Sequence, residues 1–339
     1  MTVQTTKINN RRYLGNKYKL LPFITKIVTE NCGDFNSFTD IFAGTGAVAS
    51  AYIDKQLTTN DILFSNYISN TAWFSPEKYD WDKLVGFISK YNEFDSIEEN
   101  YMTRNFSDTY FSYDICSKIG FIREDIEDKK NSKIINNREY AILLTSLLYA
   151  MDRIANTCGH YDAWRRNVDL SSQVLEMRML AAETNLNSKN HCFNTDSNEL
   201  ASSIKSDIVY LDPPYNSRQY CDAYHLVENV ARWQKPEVFG VAKKMDRTSL
   251  KSKYCTQSAP MAFDDLISKL DAKYILVSYN NMENKGNERS NARISDEEIL
   301  SSLKKRGAVQ VFSEDYKAFT TGKSDRSDNQ ERLFLCKCL

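Results

Sequence analysis

The sequence predicts an α/β protein: a mostly parallel sheet interrupted by a helical insertion. Three observations carry this. Short β-rich runs bounded by turn residues alternate with helical patterns toward both ends of the chain, as in open α/β sheets. The alternation stops between about residues 70 and 189. A glycine-rich turn follows an early strand, at the edge where such sheets bind ligands.

In chain order the strand signals are Phe38–Phe42, Leu57–Asp61, Cys192–Asn194, Asp207–Asp212, Lys273–Tyr279, Ala308–Phe312 and Arg332–Lys337. Helical patterns cover Ala47–Ile53, Asp264–Leu270 and Asp296–Lys305. The last has Ser295 as N-cap, acidic residues in its first turn and Lys304, Lys305 and Arg306 at its end, the order that the helix dipole favours. In the middle stretch Ile115, Ile119, Ile122 and Ile126 recur at helical spacing, and Glu139–Asn156 has a Leu- and Ala-rich face. A length of 339 residues suits two domains. The expected division is 1–72 with 188–339 for the sheet and 73–187 for the helical insertion.

Composition excludes several classes. Hydrophobic residues are 42% and charged residues 26%, which rules out a disordered or fibrous chain. With 44 basic against 45 acidic residues the net charge is −1, so nucleic-acid binding would need a local patch. No apolar run approaches the 18 or so residues of a membrane span, and the N-terminus lacks the apolar stretch of a secretory signal. The eight cysteines form no C-x-x-C, and His160, His191 and His225 are the only histidines. No metal site is expected, and the chain reads as a reduced, cytoplasmic protein.

Four motifs carry chemistry. The first is Phe42-Ala-Gly44-Thr-Gly46, between a strand and a helical run, where glycines let the backbone approach a ligand closely. With Ala49 it fits the dinucleotide pattern G-x-G-x-x-A; a tight turn in any α/β protein is the plain alternative. The second is Asp61, ending the next strand. It could accept from both ribose hydroxyls of an adenosine-containing cofactor, or cap the following helix.

The third and sharpest is Asp212-Pro213-Pro214-Tyr215, which holds two of the six prolines at the end of a strand. Proline fixes φ and removes a donor, so the loop is stiff and presents carbonyls. A carboxylate, a bare carbonyl and an aromatic face make a receptor for a planar amine: Asp212 and the Pro213 carbonyl accept its two hydrogens, and Tyr215 stacks on the ring. A proline turn with a buried tyrosine is the alternative. The fourth is Arg12-Tyr-Leu-Gly-Asn-Lys-Tyr-Lys19, within a segment holding Lys7, Arg11, Arg12, Lys17, Lys19 and Lys26 and no acidic residue. Basic residues interleaved with Tyr13 and Tyr18 suit phosphate and base contacts, or form a solvated helix start. A second patch, Lys243 to Lys253, sets five basic residues against Asp246.

Together these motifs resemble the Dam-like (alpha-group) adenine-specific DNA methyltransferases. The order RYLGNKYKLLPFI, DIFAGTGAVA, Asp61 and DPPYNSRQY matches. Ala155-Asn-Thr-Cys-Gly-His-Tyr-Asp-Ala163, Tyr224-His225, Lys251-Ser-Lys-Tyr-Cys255 and Ser278-Tyr-Asn-Asn281 are similar to the family's type II restriction-modification branch. The resemblance implies a Rossmann-like sheet that binds S-adenosyl-L-methionine, with the helical insertion as target-recognition domain. It implies that Phe42, Gly44 and Gly46 cradle the methionine part, Asp61 holds the ribose, Asp196 lies at the adenine ring, and Tyr13 and Lys17 are N-terminal cofactor positions. Tyr13 stands where Dam carries tryptophan, which preserves an aromatic there. Asp212, Pro213, Pro214 and Tyr215 become the target-base residues, Asp212 also lying near the cofactor.

The function so implied is methyl transfer to the exocyclic amine of adenine in a short sequence of double-stranded DNA, after base flipping. Candidate DNA contacts are Arg12, Arg165, Arg166, Arg218, Tyr220 and Lys251. A separately acting cognate restriction endonuclease is the implied partner, and a monomer is expected because one strand can be methylated at a time. The branch suggests a palindrome with a CATG core; the recognition sequence itself is not derivable from these residues. Competing readings are amino methylation of RNA or of a protein glutamine, a nicotinamide oxidoreductase, and a DNA-binding protein without catalysis. The oxidoreductase leaves Asp212–Tyr215 unexplained, and an intact Asp212 and Tyr215 argue against the last.

Overall fold

Alternating residues on neighbouring strands decide what the sheet buries on each face. The computed structural model describes residues 3–8, 13–95, 97–280, 292–315 and 330–339. Among them a seven-stranded sheet is formed by β1 (Ser37–Asp40), β2 (Gln56–Asn60), β3 (His191–Phe193), β4 (Lys205–Leu211), β5 (Asp271–Asn280), β6 (Gly307–Asp315) and β7 (Gln330–Cys338). Its order is β3-β2-β1-β4-β5-β7-β6. The first five in that order are parallel, and β7 runs antiparallel to both its neighbours. This is the expected Rossmann-like α/β arrangement.

On one face Val209 and Leu211 of β4, Ile275, Val277 and Tyr279 of β5, and Phe334 and Cys336 of β7 share a core with Phe263, Leu266, Ile299 and Leu303 from helices 259–269 and 296–304. The period of two sends the intervening residues to the other face, where Phe38 stacks on Tyr210. Helix 296–304 begins as expected: Ser295 and Glu298 form a capping box. After β1 the chain goes outward through β2 and β3; β4 and β5 lie on the other side. The order therefore reverses between β1 and β4, and the crevice beyond the strand ends there is where open α/β sheets bind ligands.

Backbone contacts divide the chain into two compact units. The sheet unit comprises 17–62, 189–220 and 249–339; the helical unit comprises 1–16, 63–188 and 221–248. Residues 73–187 lie wholly in the helical unit. Residues 1–16, 63–72 and 221–248, read from sequence as part of the sheet domain, also belong there. The reason is packing between distant segments: Tyr13 stacks on Tyr224, and Leu14 N–H donates to the Tyr224 hydroxyl.

Within the helical unit, helices 113–131 and 137–154 confirm the two central sequence signals. Ile115, Ile119, Ile122 and Ile126 are buried, and helix 137–154 is buried continuously from Arg138 to Met151. The helical reading fails after Ile154: residues 155–178 form neither helix nor strand. Turn-forming residues explain this, with Gly159 and Asn167 at positive φ. Helix 64–74 starts without a local cap. The wholly buried Glu228 carboxylate instead accepts from Phe64 N–H and Ser65 N–H, both at 2.8 Å, and from Arg232. Among the described residues no helix is long and apolar enough to cross a membrane.

Candidate active site

The end of β1 is shaped by backbone geometry. Gly44 and Gly46 have φ of +52° and +78°, a region in which a Cβ is strained. Gly46 N–H closes a turn onto the Ala43 carbonyl at 2.7 Å, and Gly44 N–H donates to Asp61 Oδ2 at 2.9 Å. Asp61 sits one residue past β2, so its carboxylate braces the turn. The capping alternative does not hold for helix 64–74, whose first amides are taken by Glu228. The α-helix expected over Ala47–Ile53 is absent; the structure has a four-residue 3₁₀ turn, Ala49–Tyr52, with no side-chain cap. The site therefore relies on glycine-shaped backbone rather than a helix terminus. Phe42 packs edge-on against Tyr254.

Asn60 joins the three neighbouring strand ends. Its side-chain amide donates to the carbonyls of Ile41 and Thr195, while its oxygen accepts from Thr195 N–H. Asn194 secures the next turn by donating to the carbonyls of Asp61 and Ile62. Asp196 caps the short helix Ser197–Leu200, accepting from Asn198 N–H at 2.8 Å.

One residue past β4 stands Asp212. Its Oδ2 lies 2.8 Å from the Lys17 Nζ, and the two side chains are 18% and 7% exposed. Lys17 enters from a 3₁₀ turn, Lys17–Leu20, that leads into helix 21–31. It is thus buried in an ion pair and takes no part in the basic surface patch that the sequence suggests. Lys17 Nζ is also 3.6 Å from Glu331 Oε1, which accepts from the Ser278 hydroxyl at 2.6 Å. Asp40, at the end of β1, is buried, and its Oδ1 has no hydrogen-bond partner among the described residues.

The electrostatics follow from this crowding. Burial pushes the Asp212 carboxyl up to about 6, with Lys17 pulling it down and Glu331 pushing it up. For Lys17 burial works against the charge, but Asp212 and Glu331 hold the ammonium well above its ordinary range. Burial, then Asp212 and Asp61, raise Asp40 well above the usual carboxylate range. Asp40 and Glu331 are functional-site candidates that the sequence reading missed, and Ser278 was named only within a family-like stretch. The available signal was their place near the strand ends at the edge that carries Gly44 and Asp212.

The loop after Asp212 is braced from below. Pro213 is buried, and Pro214 and Tyr215 are half-buried. The Tyr215 carbonyl accepts from Arg293 N–H at 2.9 Å, and its ring meets Tyr279 edge-on with centroids 6.4 Å apart.

The D12 class N6 adenine-specific DNA methyltransferase family model matches residues 13–289, a range that includes the glycine turn and the Asp-Pro-Pro-Tyr loop. The chain belongs to this family. Among similar proteins, modification methylase StsI of Streptococcus sanguinis is 38% identical over 311 residues, covering 86% of this chain and 46% of that protein. Type II methyltransferase M.FokI of Planomicrobium okeanokoites is 32% identical over 345 residues, covering 95% and 52%. The chain spans about half the length of both. Type II methyltransferase M.NlaIII of Neisseria lactamica is 29% identical over 330 residues, covering 94% of each chain.

The remaining candidates separate by unit. In the sheet unit, Gln219 and Ser252 clasp each other through two hydrogen bonds, Nε2 to carbonyl at 3.0 Å and Ser252 N–H to Oε1 at 2.8 Å. The clasp joins the segment bearing exposed Arg218 and half-buried Tyr220 to the one bearing exposed Lys251. In the helical unit Arg165 and Arg166 are exposed, with the Arg165 carbonyl held by Asn156. Tyr13 belongs to this unit, its hydroxyl accepting from Asn66. Arg12 lies outside the described residues.

The basic patch Lys243–Lys253 is less uniform than its sequence suggests. Lys244 pairs with Asp162, and Arg247 with Asp222 at 2.7 Å, while Lys251 and Lys253 belong to the other unit. The two family-like stretches around His160 and His225 do meet within the helical unit. Tyr161 N–H donates to the Ala223 carbonyl, and the Tyr110 hydroxyl donates to the Tyr161 carbonyl.

Proposed function

We propose that this chain transfers a methyl group from S-adenosylmethionine to the exocyclic amine of adenine in a short DNA sequence. The observation that carries the reading is the Asp212 carboxylate, held by Lys17 one residue beyond β4, beside the point where the strand order reverses.

The cofactor class fits the residues present. The positive φ of Gly44 and Gly46 leaves their backbone open to close approach. Asp61, one residue past β2, presents a carboxylate, the kind of acceptor that ribose hydroxyls need. Phe42, Gly44 and Gly46 would hold the methionine part, Asp61 the ribose and Asp196 the adenine edge, with Lys17 and Asp212 near the reacting end. When bound, S-adenosylmethionine supplies an electrophilic methyl group on sulfur.

The chain's own residues supply acceptors and orientation. The adenine amine is a weak nucleophile because its lone pair is delocalised into the ring. Asp212 and the Pro213 carbonyl accept its two hydrogens, favouring a pyramidal nitrogen whose lone pair faces the methyl group. Asp212 needs no strong basicity, because the nitrogen loses its proton after it has gained the methyl group and a positive charge. Positioning and electrostatics provide the rate. Extruding the base costs a few kcal/mol, offset by stacking on Tyr215 worth about 1–3 kcal/mol.

The helical unit is the proposed target-recognition element. Arg165 and Arg166 are its candidate base or phosphate contacts, and Arg218, Tyr220 and Lys251 are those of the sheet unit. A separate restriction endonuclease of the same specificity is the proposed partner, and a monomer the proposed state. The comparisons lend no support to an RNA or protein-glutamine acceptor.

The test is to incubate the purified chain with S-adenosylmethionine and unmethylated genomic DNA, then read modification by single-molecule sequencing. N6-methyladenine at one recurring sequence, absent with Asp212→Ala, is expected. Cofactor binding without DNA modification would overturn the assignment.

A further inference from the structure

Glu331 lies beyond the residues that the family model matches, near the start of β7. Strand pairing sets it opposite Asn280 and Leu333 opposite Ser278. Glu331 and Ser278 therefore lie diagonally on one face of the sheet. Its side chain is 5% exposed, accepts from Ser278 and stands 3.6 Å from the ammonium that also serves Asp212. One cation thus serves two carboxylates, Asp212 at 2.8 Å and Glu331 at 3.6 Å.

We propose that Glu331 is a positioning residue for methyl transfer: by sharing the Lys17 ammonium, it keeps that cation from being engaged wholly by Asp212 and leaves carboxylate lone pairs of Asp212 to accept from the target amine. The inference rests on the reading of Asp212 given above. An ammonium paired with Asp212 alone would place its donors on the lone pairs that the amine needs. Glu331 draws part of that charge to itself. The geometry also gives the buried Glu331 carboxylate a countercharge, without which its burial would be costly.

The charged and titratable groups around this pair are Asp40, with Asp61 beside it, and Tyr210 and Tyr215 near Lys17. Alongside these, Glu331 approaches the same Lys17 ammonium as Asp212. Glu331→Gln removes its charge while retaining an oxygen to accept from Ser278.

The experiment follows the carboxyl carbon of Asp212 by NMR in the full chain labelled at aspartate, assigned by its loss in Asp212→Asn. With Glu331→Gln the Asp212 midpoint should fall by about one unit, as removal of a nearby like charge requires. The kcat for DNA methylation should fall roughly tenfold, with the KM for the methyl donor changing less than about twofold. Glu331→Asp, which retains the charge, should move both back toward wild type. An Asp212 midpoint that is unchanged or raised in Glu331→Gln overturns the proposal. A wild-type chain that methylates no DNA overturns the proposed function instead, and the titration still decides whether Glu331 shares the cation.

Discussion

The Gly44 N–H donates to Asp61 Oδ2 across 2.9 Å, linking the turn after β1 to the end of β2. The contact orients a carboxylate that the proposed cofactor's ribose would share. Asp61→Ala should therefore weaken S-adenosylmethionine binding by tenfold or more, because charge-assisted hydrogen bonds contribute about 1.5–3 kcal/mol. Asp61→Asn should lose less. Calorimetric titration with S-adenosylmethionine or its demethylated product checks this, and equal affinity in all three proteins would remove Asp61 from the cofactor site.

Asp212 gives a pH signature. Its carboxyl is raised by burial to about 6, so its proton returns at a higher pH than for an ordinary carboxylate. Methyl transfer should fall as pH drops through about 6, because protonated Asp212 loses acceptor strength toward the amine. The stability effect has the opposite sense. Between the ordinary carboxylate range and about 6 the folded chain binds this proton more tightly than the unfolded chain, so this contribution shrinks as pH rises through that window. Rate profiles and urea midpoints over pH 4.5–8 in about half-unit steps separate the two.

Tyr215 is braced by Tyr279 and by the Arg293 amide, so its removal should affect the target base more than the fold. Tyr215→Phe should retain most of the turnover, and Tyr215→Ala should lose about 10- to 100-fold, the equivalent of one base stack. A fluorescent adenine analogue at the target position should lose its extrahelical signal in the alanine variant alone. A larger loss in cofactor affinity than in turnover would place Tyr215 on the cofactor side.

Glu228 is a stability site within the helical unit. Its buried carboxylate satisfies two helix N-terminal amides and Arg232 at once. Glu228→Ala should destabilise the helical unit by roughly 2–4 kcal/mol, since it strands donors and a partly buried cation. Urea unfolding followed by circular dichroism measures this, and a change below about 0.5 kcal/mol would show that water replaces the carboxylate.

Arg218 and Lys251 should act on DNA through charge. Each alanine substitution should reduce the salt dependence of binding by about one unit of log–log slope if it removes one phosphate contact. Fluorescence anisotropy between about 50 and 200 mM salt gives the slope. An unchanged slope would leave these side chains away from the DNA.

Local patterns in the sequence determined the parallel sheet, its glycine turn and the position of Asp212–Tyr215 just past a strand. Strand periodicity, proline stiffness and glycine φ are properties of a few adjacent residues, so they are legible without a fold. They also overreached: the run Ala47–Ile53 had helical composition but no cap, and only a 3₁₀ turn forms. The basic N-terminal segment read as a surface patch, yet Lys17 turns inward because Asp212 and Glu331 offer it buried countercharge. Glu331 near the C-terminus, Glu228 at a distant helix start and Tyr13 on Tyr224 were decided by tertiary structure alone. Their partners are far apart along the chain, and no local propensity specifies which buried charge or aromatic ring will meet which. The sequence thus determined the sheet and the chemical groups at its edge, while long-range packing determined how their charges are shared.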